Sequence, residues 1–536
     1  MRSTEMLLDD EHPDEMDPAF MRIRGFERIP GAIYTEMVRA IRNQNSRIAK
    51  SKATVDVNPY AIWRSITTDP TVVVANEINP IQNLKETEAV TYGGNGGRSG
   101  TTMVKHTREY HVNDLGTMSE ATVDSSDVGI NVFLSANPNF TSVRGISRRL
   151  DKSKDGASSL LSTSSLLAPA SDMDDQKRQN FINIQNSHTV ACVDYQTLPV
   201  RTGEESVLAN RVNDSFASIA SEDGTVVSLT DDFIVVEYKS GKRETVAIGT
   251  QYGAAAGLTI PHVIVTSLKT GQKVKAGDVI AYNKGYFQED RLSGGLTYKA
   301  GLLANVMTYE TSLTDEDSST ISRRLSNRLS TNTTKVRDIV LSFDQSVSRL
   351  VKVGDEVEST DALCIIEDNT VGNTEIFDRD SLDTLKLLGS QTPLAKVKGV
   401  VEKIEVYYHG DLEDMTDSLR NLARSYNRKL AEMCKAKGIP VYTGAVDEGF
   451  RTDGNPVALD TLVIKIYITS SIGCGIGDKL VFGNQGKSVI GDVFDEPLVT
   501  ENGTEIDAQF GRRSIYNRII MSPDLIGTTT SLLEVI

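Results

Sequence analysis

Five glycines and two lysines share one stretch of twenty residues, GIGDKLVFGNQGKSVIGDVF at 475–494. The glycines permit sharp turns and a close approach of the backbone to a ligand. Lys479 and Lys487 stand eight positions apart, and an ammonium group pairs with phosphate from any approach angle. The stretch predicts a loop that binds a polyanion; a glycine-rich loop with solvated lysines is the alternative. It is not a Walker A loop, because the run from Gly483 to Lys487 is too short for that pattern.

Size and charge limit the class of protein. A chain of 536 residues is expected to hold roughly three or four domains, and its hydrophobic content of 39% suffices for real cores. The net charge of −16 argues against binding nucleic acid through bulk charge. Any contact with nucleic acid must therefore come from local basic clusters or from a basic partner.

Cysteines and apolar runs bear on the compartment. The four cysteines stand far apart without CxxC spacing, which argues against disulfides or a zinc site. The acidic N-terminus lacks the apolar segment of a signal peptide, and no apolar run approaches the ~18 residues of a membrane span. We therefore expect a soluble, cytoplasmic protein.

Hydrophobic periodicity predicts two long helices. Residues 33–50 read as an amphipathic helix with a basic side, which is either a solvated face or a contact for nucleic acid. Residues 411–437 carry an apolar stripe, with acidic residues at the start, Lys435 and Lys437 at the end, and Gly438 as the stop. These end signals suit the helix dipole, and such a stripe is typical of a core helix.

The remainder is predicted to be β-rich, above all from residue 200 onward, so the fold class is α+β. Two V-x-x-G-D turns, at 274–282 and 351–359, are typical of small barrels and also of biotinyl or lipoyl carriers, but the lysine that a carrier needs at a hairpin tip is missing. The predicted pieces are a glycine-rich loop at 92–100, a part-buried strand at 102–112, a hairpin at 233–248 turning at Ser240–Gly241, a strand pair at 396–408 and a long strand at 459–470.

Three further features accompany the lysine stretch. They are DDQKR at 174–178, the acidic pair Glu316–Asp317 within TDEDSSTISRRL, and Arg518 at the end of ENGTEIDAQFGRRSIYNR. Together with the lysines they resemble the β subunit of multisubunit RNA polymerases, from its fork region to near the end of its catalytic barrel. The lysine stretch is similar to that family's GDK-x-x-x-x-x-GNKG signature, with both lysines in register.

Shorter motifs support the resemblance over residues 60–536. ENGT and Ile506–Asp507 resemble the family's "ENGTPVDI", and Ser318, Ser322 and Arg324 keep the spacing of "FEDS…SER". The other matched motifs are DDQKR for "DDANR", Asn183–Ile184–Gln185 for "NMQ", ANEINPIQNLKE for "NNPLSE", GGNGGRSG for the glycine-rich fork loop, Arg108 and His111 for "VRDVH", and TVDSSDVG for a weakened "TPEGPNIG" that leaves a role for Asp124 open.

The departures from the family also carry information. The lobe and protrusion that precede the fork are absent, as is the long C-terminal anchor, and Phe482 to Gln485 replace the histidine and arginine of the lysine signature. A β subunit broken into separate chains is similar to the split polymerases of phiKZ-like giant bacteriophages. The resemblance then implies a location in the cytoplasm of the infected host or in the virion, without distinguishing the two.

The resemblance implies a role for each matched residue. Lys479 and Lys487 contact phosphates at the RNA 3′ end or of the initiating nucleotide, and Glu316 and Asp317 stand near a second Mg²⁺, through water. The residues implied in binding nucleotide or RNA are Arg178, Arg518, Asn83, Arg108, His111 and Gln185. The Asp triad that holds Mg²⁺ lies on a β′-like partner, because no NADFDGD-like run exists here.

Structural roles compete with these assignments. Arg178 could pair with Asp174 or Asp175 on a helix surface, and the carboxylates at 315–317 could form a solvated acidic turn. His111 could be purely structural. For the whole chain, a non-catalytic structural or carrier-like assembly protein is the alternative to a polymerase subunit.

Six regions follow from the resemblance and from changes in composition. They are an N-terminal extension and basic helix at 1–60, a fork-like region at 61–200, a β-rich insert at 201–270, the first part of a catalytic double-psi β-barrel at 271–334, a flap-like domain at 335–455, and the second part of the barrel, with the lysine loop, at 456–536. The implied partners are the other polymerase subunits, template DNA, RNA product and nucleoside triphosphates, with no membrane.

Overall fold

A computed structural model describes most of the chain. It covers residues 25–47, 54–94, 99–141, 147–290, 294–368, 391–452 and 454–535. Strands dominate these ranges and helices make up about 27%, so the fold class is α+β, as predicted. None of the helices within them is long and apolar enough to cross a bilayer.

The N-terminal part pairs helices with a small sheet. Strands β1 and β2 flank β3 in a three-stranded sheet. Asn79 is the N-cap of α3, and its side chain accepts a hydrogen bond from Gln82 N. The bounds are α1 Gly25–Arg47, α2 Pro59–Thr67, α3 Pro80–Glu88, β1 Ala89–Thr91, α4 Lys105–Arg108, β2 Met118–Thr122 and β3 Asn131–Leu134.

The predicted basic helix exists but differs in extent and burial. Helix α1 begins earlier than residue 33, while 48–50 lie outside the described residues. Its apolar stripe is largely exposed, at 39% for Ile33, 47% for Met37 and 44% for Ile41, whereas Glu36 and Ala40 are buried. The apolar stripe therefore faces away from the rest of the described chain.

The prediction of a strand at 102–112 is wrong. This segment forms short helical turns and α4 instead. The backbone carbonyls of Gly100, Met103 and Ser126 accept hydrogen bonds from the Arg108 guanidinium, and His111 caps the next turn. Side-chain bonds of this kind stabilise turns at the expense of a ladder, which the β-branched composition did not reveal. Of the loop predicted at 92–100, residues 95–98 lie outside the described part.

A helical segment connects this sheet to the β-rich part. It contains α5 Thr163–Leu166 and α6 Gln176–Ser187. Short 3₁₀ turns occur at Gly100–Thr102, Val112–Asp114, Ser125–Asp127, Ala157–Ser159, Ser171–Met173, Glu204–Ser206, Leu208–Asn210 and Leu412–Asp414.

Two four-stranded sheets follow and share one core. Their orders are β10-β5-β6-β7 and β4-β11-β9-β8, and β12 pairs with β13. The predicted hairpin at 233–248 is confirmed as β6 and β7, with Gly241 at φ 83° in the turn. The bounds are β4 Ala217–Ile219, β5 Gly224–Leu229, β6 Phe233–Tyr238, β7 Arg243–Ala247, β8 Gly249–Ala255, β9 Leu258–Val265, β10 Lys273–Val274, β11 Val279–Asn283, β12 Phe287–Glu289 and β13 Leu296–Tyr298.

The next elements lie between the β12–β13 pair and the C-terminal segment. They are β14 Val306–Thr308, β15 Ser318–Ser322, α7 Arg323–Arg328, β16 Thr331–Ser342, β17 Gln345–Ser348, β18 Glu356–Val357, β19 Ile365–Asp368, β20 Gly399–His409, α8 Asp417–Lys437, β21 Arg451–Thr452, β22 Asn455–Pro456 and β23 Thr461–Ile472. The strand predicted at 459–470 is confirmed as β23. The pair predicted at 396–408 is one strand, β20, because its partner is β23.

Helix α8 confirms the predicted core helix. Gly438 ends it in the left-handed conformation, with φ 68°. Leu419 and Ala423 are fully buried against a sheet of order β16-β23-β20-β18. The apolar stripe therefore packs this helix against that sheet in one core.

The C-terminal segment joins a mixed five-stranded sheet of order β14-β28-β15-β25-β24. Strand β15 runs parallel to β25 and antiparallel to β28, so two distant parts of the chain meet here. Closure of this sheet as a double-psi barrel stays a prediction. The bounds are β24 Lys479–Phe482, β25 Gly486–Phe494, β26 Leu498–Val499, β27 Glu505–Ile506, β28 Ala508–Phe510, α9 Arg513–Tyr516 and α10 Ser522–Val535.

Replacing Leu419 with alanine tests the packing of α8. Because Leu419 is completely buried, we expect Leu419→Ala to lower the free energy of unfolding by about 2–5 kcal/mol. Urea titration followed by circular dichroism measures the loss. Arg428→Ala, at an exposed position of the same helix, is the matched control and should stay within about 0.5 kcal/mol of wild type. Equal effects of the two substitutions would contradict burial of this face.

Candidate functional site

The lysine stretch is a β-hairpin rather than a loop. Lys479 lies opposite Val489, and Lys487 lies opposite Val481, in the antiparallel pair β24–β25. Alternate residues of a strand project from the same face, so both lysines share one face, and both are exposed. Within the described residues, neither ammonium group makes an ion pair. The hairpin therefore presents two unpaired cations side by side.

An ion pair connects the acidic turn to the C-terminal segment. Arg518 Nη1 lies 2.6 Å from Asp317 Oδ1, and Arg518 Nη2 donates to Asp317 Oδ2 at 2.7 Å. This fork raises the pKa of Arg518. Asp317 adopts φ 58°, and its N–H donates to Ser514 Oγ at 2.8 Å. The turn is thus held in a left-handed conformation that residues other than glycine rarely adopt.

Arg178 stands beside this pair at the start of α6. Burial lowers its pKa, and the positive charge of Arg518 lowers it further, while Asp317 and Asp175 oppose the shift. In the described part of the chain its guanidinium makes no ion pair; it lies 5.2 Å from the centroid of the Phe181 ring. The predicted alternative, an ion pair with Asp174 or Asp175, is therefore not what the structure shows. Two guanidinium groups and one carboxylate lie within electrostatic reach of one another.

The neighbouring carboxylates are tied to the segment around α9. Glu316 Oε1 accepts from Asn517 Nδ2 at 3.0 Å, and Asp315 Oδ1 accepts from Arg513 Nη1 at 3.1 Å. Glu316 and Asp317 are exposed. The described residues contain no group of three or more His, Cys, Asp or Glu side chains placed to hold a metal ion. These two carboxylates can thus supply part of a coordination shell.

A second ion pair brings two matched motifs together. Arg324 donates from Nη2 to Asp507 Oδ1 at 2.6 Å and from Nε to the same oxygen at 3.0 Å. Asp507 is only 2% exposed, and its Oδ2 accepts from Asn305 N at 2.9 Å. This contact fixes α7 against the segment between β27 and β28.

His188 lies near both Lys85 and Lys487. The sequence alone did not single out His188 or Lys85. Burial lowers the pKa of His188, and the charges of Lys85 and Lys487 add to this lowering. Lys85 is 9% exposed, and burial lowers its pKa to about 8. Its Nζ lies 4.6 Å from the centroid of the Phe133 ring. The only signal in the sequence was the position of Lys85 inside the ANEINPIQNLKE motif.

The other predicted site residues lie among structural contacts. Asn83 Nδ2 donates to Asn76 O at 2.8 Å, and Arg108 donates to carbonyls of its own region, including Ser126 O at 2.7 Å. His111 Nδ1 accepts from Asn113 N at 3.2 Å. Gln185 keeps a buried Oε1 that no described group donates to. Asn83, Arg108 and His111 therefore stabilise the turns of the N-terminal part through local hydrogen bonds.

Asp124 has a local contact of the same kind. Its Oδ1 accepts from Ser125 N at 2.8 Å and begins a 3₁₀ turn. The side chain therefore has a structural partner within its own turn.

Comparison with known proteins adds one finding. The family described as bacteriophage RNA polymerase matches residues 1–100. This match indicates an RNA polymerase-related function. The matched range contains Asn83 and Lys85 but neither the lysine hairpin nor Arg178, Asp317 or Arg518, so it is independent of the site geometry. No curated protein matches the chain.

The buried Lys85 gives a pH-dependent prediction. Its folded pKa of about 8 lies below the reference value of 10.5, so the unfolded state binds more protons between these values and stability rises with pH there. We expect Lys85→Met to gain stability over wild type at pH 7, with the gain shrinking toward pH 10. Urea unfolding at both pH values measures it. Lys352→Met, at an exposed position, is the control and should stay within about 0.5 kcal/mol of wild type.

Proposed function

We propose that this chain is a β-like subunit, corresponding to the C-terminal half of β, of a multisubunit DNA-dependent RNA polymerase of the split type. It forms one wall of the active site and of the channel for the RNA–DNA hybrid. The catalytic Asp triad is then carried by a separate β′-like chain, and this chain is inactive alone. The observation that carries the proposal is the convergence of Arg178, Arg518 and Asp317 from three distant segments.

Nucleotidyl transfer needs positioning and charge neutralisation more than covalent chemistry from the protein. The triphosphate of an incoming nucleotide carries several negative charges. The planar guanidinium of Arg178 has donors left for phosphate oxygens, since it makes no ion pair within the described residues. Arg518 uses one edge for Asp317, and a guanidinium has five N–H donors in total. Arg178 and Arg518 can therefore hold one triphosphate together.

The two hairpin lysines act on a different part of the substrates. Lys487 is close enough to His188, at the end of α6, to lower its pKa, whereas Arg178 lies at the start of that helix. A helix rises ~1.5 Å per residue, so these ends stand roughly 15 Å apart. Lys479 and Lys487 therefore contact phosphates other than those held by the arginines, at the RNA 3′ end or on the initiating nucleotide.

The carboxylates fit a shared magnesium site. Mg²⁺ neutralises phosphate charge and orients the reacting groups, and it keeps several water ligands when bound to protein. Glu316 and Asp317 are exposed carboxylates close to Arg178 and Arg518, and their oxygens can act as metal ligands. In the described part of the chain they do not complete a metal site, so they would hold the ion through water while a β′-like partner supplies the direct ligands.

Two substitutions test the roles of the cations. In the assembled enzyme, we expect Arg518→Ala and Lys487→Ala to lower the rate of RNA synthesis by about 100-fold or more, because each removes a charge aimed at phosphate. Both should spare assembly, measured by co-purification with the partner chains. Arg424→Ala, a surface residue of α8 paired with Glu413, is the matched control.

Unchanged transcription in both variants would refute the proposal. A non-catalytic assembly protein, the alternative function, predicts that outcome. It also predicts that the control and the two test variants are indistinguishable in every assay of RNA synthesis.

The composition of the native complex tests the assignment of subunits. We expect affinity purification of the tagged chain from its source to retain a protein with a β′-like Asp triad and a second β-like chain. Mass spectrometry identifies the partners from their peptides. A purified chain that retains no polymerase subunit, under conditions where the complex is stable, would contradict the split-subunit assignment.

A further inference from the structure

One buried carboxylate connects the segments that carry the proposed substrate-binding cations. Asp174 is 8% exposed and lies just before α6. Its Oδ2 accepts from Gln485 Nε2 at 2.7 Å and from Ser522 Oγ at 2.6 Å. Its Oδ1 accepts from the backbone N–H groups of Met521 at 2.8 Å and Ser522 at 3.0 Å. All of these bonds arise from residues more than 300 positions away in the chain.

Each partner of Asp174 is close in sequence to a proposed substrate contact. Gln485 precedes Lys487 by two residues, and Met521 follows Arg518 by three. Asp174 itself precedes Arg178 by four. One carboxylate thus sets the relative placement of three cations that belong to different elements.

Neighbouring contacts make the junction tight. Asn484 Nδ2 donates to Pro169 O at 2.8 Å, and Asp175 N donates to Ile519 O at 3.3 Å. A side chain added at Gly483 would meet Pro523 at 3.2 Å. The turn of the lysine hairpin therefore contacts both the segment that precedes α6 and the start of α10.

We infer that Asp174 is a positioning residue, which holds the lysine hairpin and Arg518 in register with Arg178 for binding the nucleotide and the RNA end. The inference rests on the proposed function. A carboxylate that accepts several hydrogen bonds in a buried site is costly to replace, and a misplacement of about 1 Å at a reacting group can cost about 100-fold in rate.

Two substitutions of Asp174 separate positioning from general stability. Asp174→Ala removes the four hydrogen bonds that the Asp174 carboxylate accepts. Asp174→Asn keeps one oxygen for the N–H groups of Met521 and Ser522, and its new amide can donate to Gln485 Oε1, an atom without a partner among the described residues. In the assembled polymerase we expect Asp174→Ala to raise the KM for nucleotide about 10-fold or more, with a smaller effect on kcat. Asp174→Asn should restore most of the loss.

Gln485→Met provides a variant that alters one arm of the junction. It keeps the length of the side chain and breaks only the bond to the lysine hairpin. We expect it to lower the affinity for a short RNA primer about 10-fold, measured in primer extension, while the KM for nucleotide stays near wild type. Asp172→Ala, an exposed carboxylate two residues before Asp174, is the matched control and should leave both readouts unchanged.

The outcomes separate this inference from the proposed function. If Arg518→Ala raises the KM for nucleotide and Asp174→Ala does not, the positioning role is overturned while the function stands. If Arg518→Ala leaves the KM unchanged, the proposed function fails first. If Asp174→Ala does not assemble, Gln485→Met decides, and an unaltered primer affinity overturns the inference.

Discussion

The bidentate ion pair between Asp317 and Arg518 organises the candidate site. It connects a turn that precedes β15 to the segment that follows α9, about two hundred positions later in the chain. Both ends depend on the mixed sheet, since β15 pairs with β28, and Ser514 fixes the backbone of the turn. Without this contact, the single side-chain bonds of Asp315 and Glu316 to the segment around α9 and the main-chain pairing of β15 with β28 would remain to hold the two parts together.

A net charge of −16 is compatible with the proposed local site for phosphate. The acidic surface gives no general attraction for nucleic acid. Lys479, Lys487 and Arg178 nevertheless make no ion pair within the described part of the chain, whereas many other basic side chains are neutralised by neighbours. Arg324, for example, is held by Asp507 and Glu505. These three cations therefore have no ion pair that would compete with a bound phosphate.

Local sequence patterns predicted helices and strands better than they predicted tertiary contacts. The stripe of α8 and the alternation in β6, β7 and β23 could be read directly, because burial of one face produces them. Glycines in the lysine stretch suggested a loop, yet the β-branched residues between them pair as strands. The segment at 102–112 was misread because Arg108 and His111 stabilise turns through side-chain bonds that composition does not reveal.

The candidate site was predictable to a similar degree. Ordered motifs named Arg178, Asp317 and Arg518, and the structure brings these together. The role of Asp174 could not be read, because its partners lie more than 300 residues away. Lys85 and His188 were missed for the same reason, since the proximity of His188 to Lys85 and Lys487 depends on tertiary packing. By contrast, Asn83 and Arg108 matched motifs but bond to their own backbone neighbourhood.

Helix α2 also carries exposed aromatic residues, Tyr60 and Trp63, which are 68% and 64% exposed. Trp63 is the single tryptophan of the sequence, so the indole fluorescence of the protein comes entirely from this surface, with no contribution from any core. The chain therefore contains a natural spectroscopic reporter. Its emission reports the solvation of α2 alone. This helix lies within residues 1–100, the range that matches the bacteriophage RNA polymerase family.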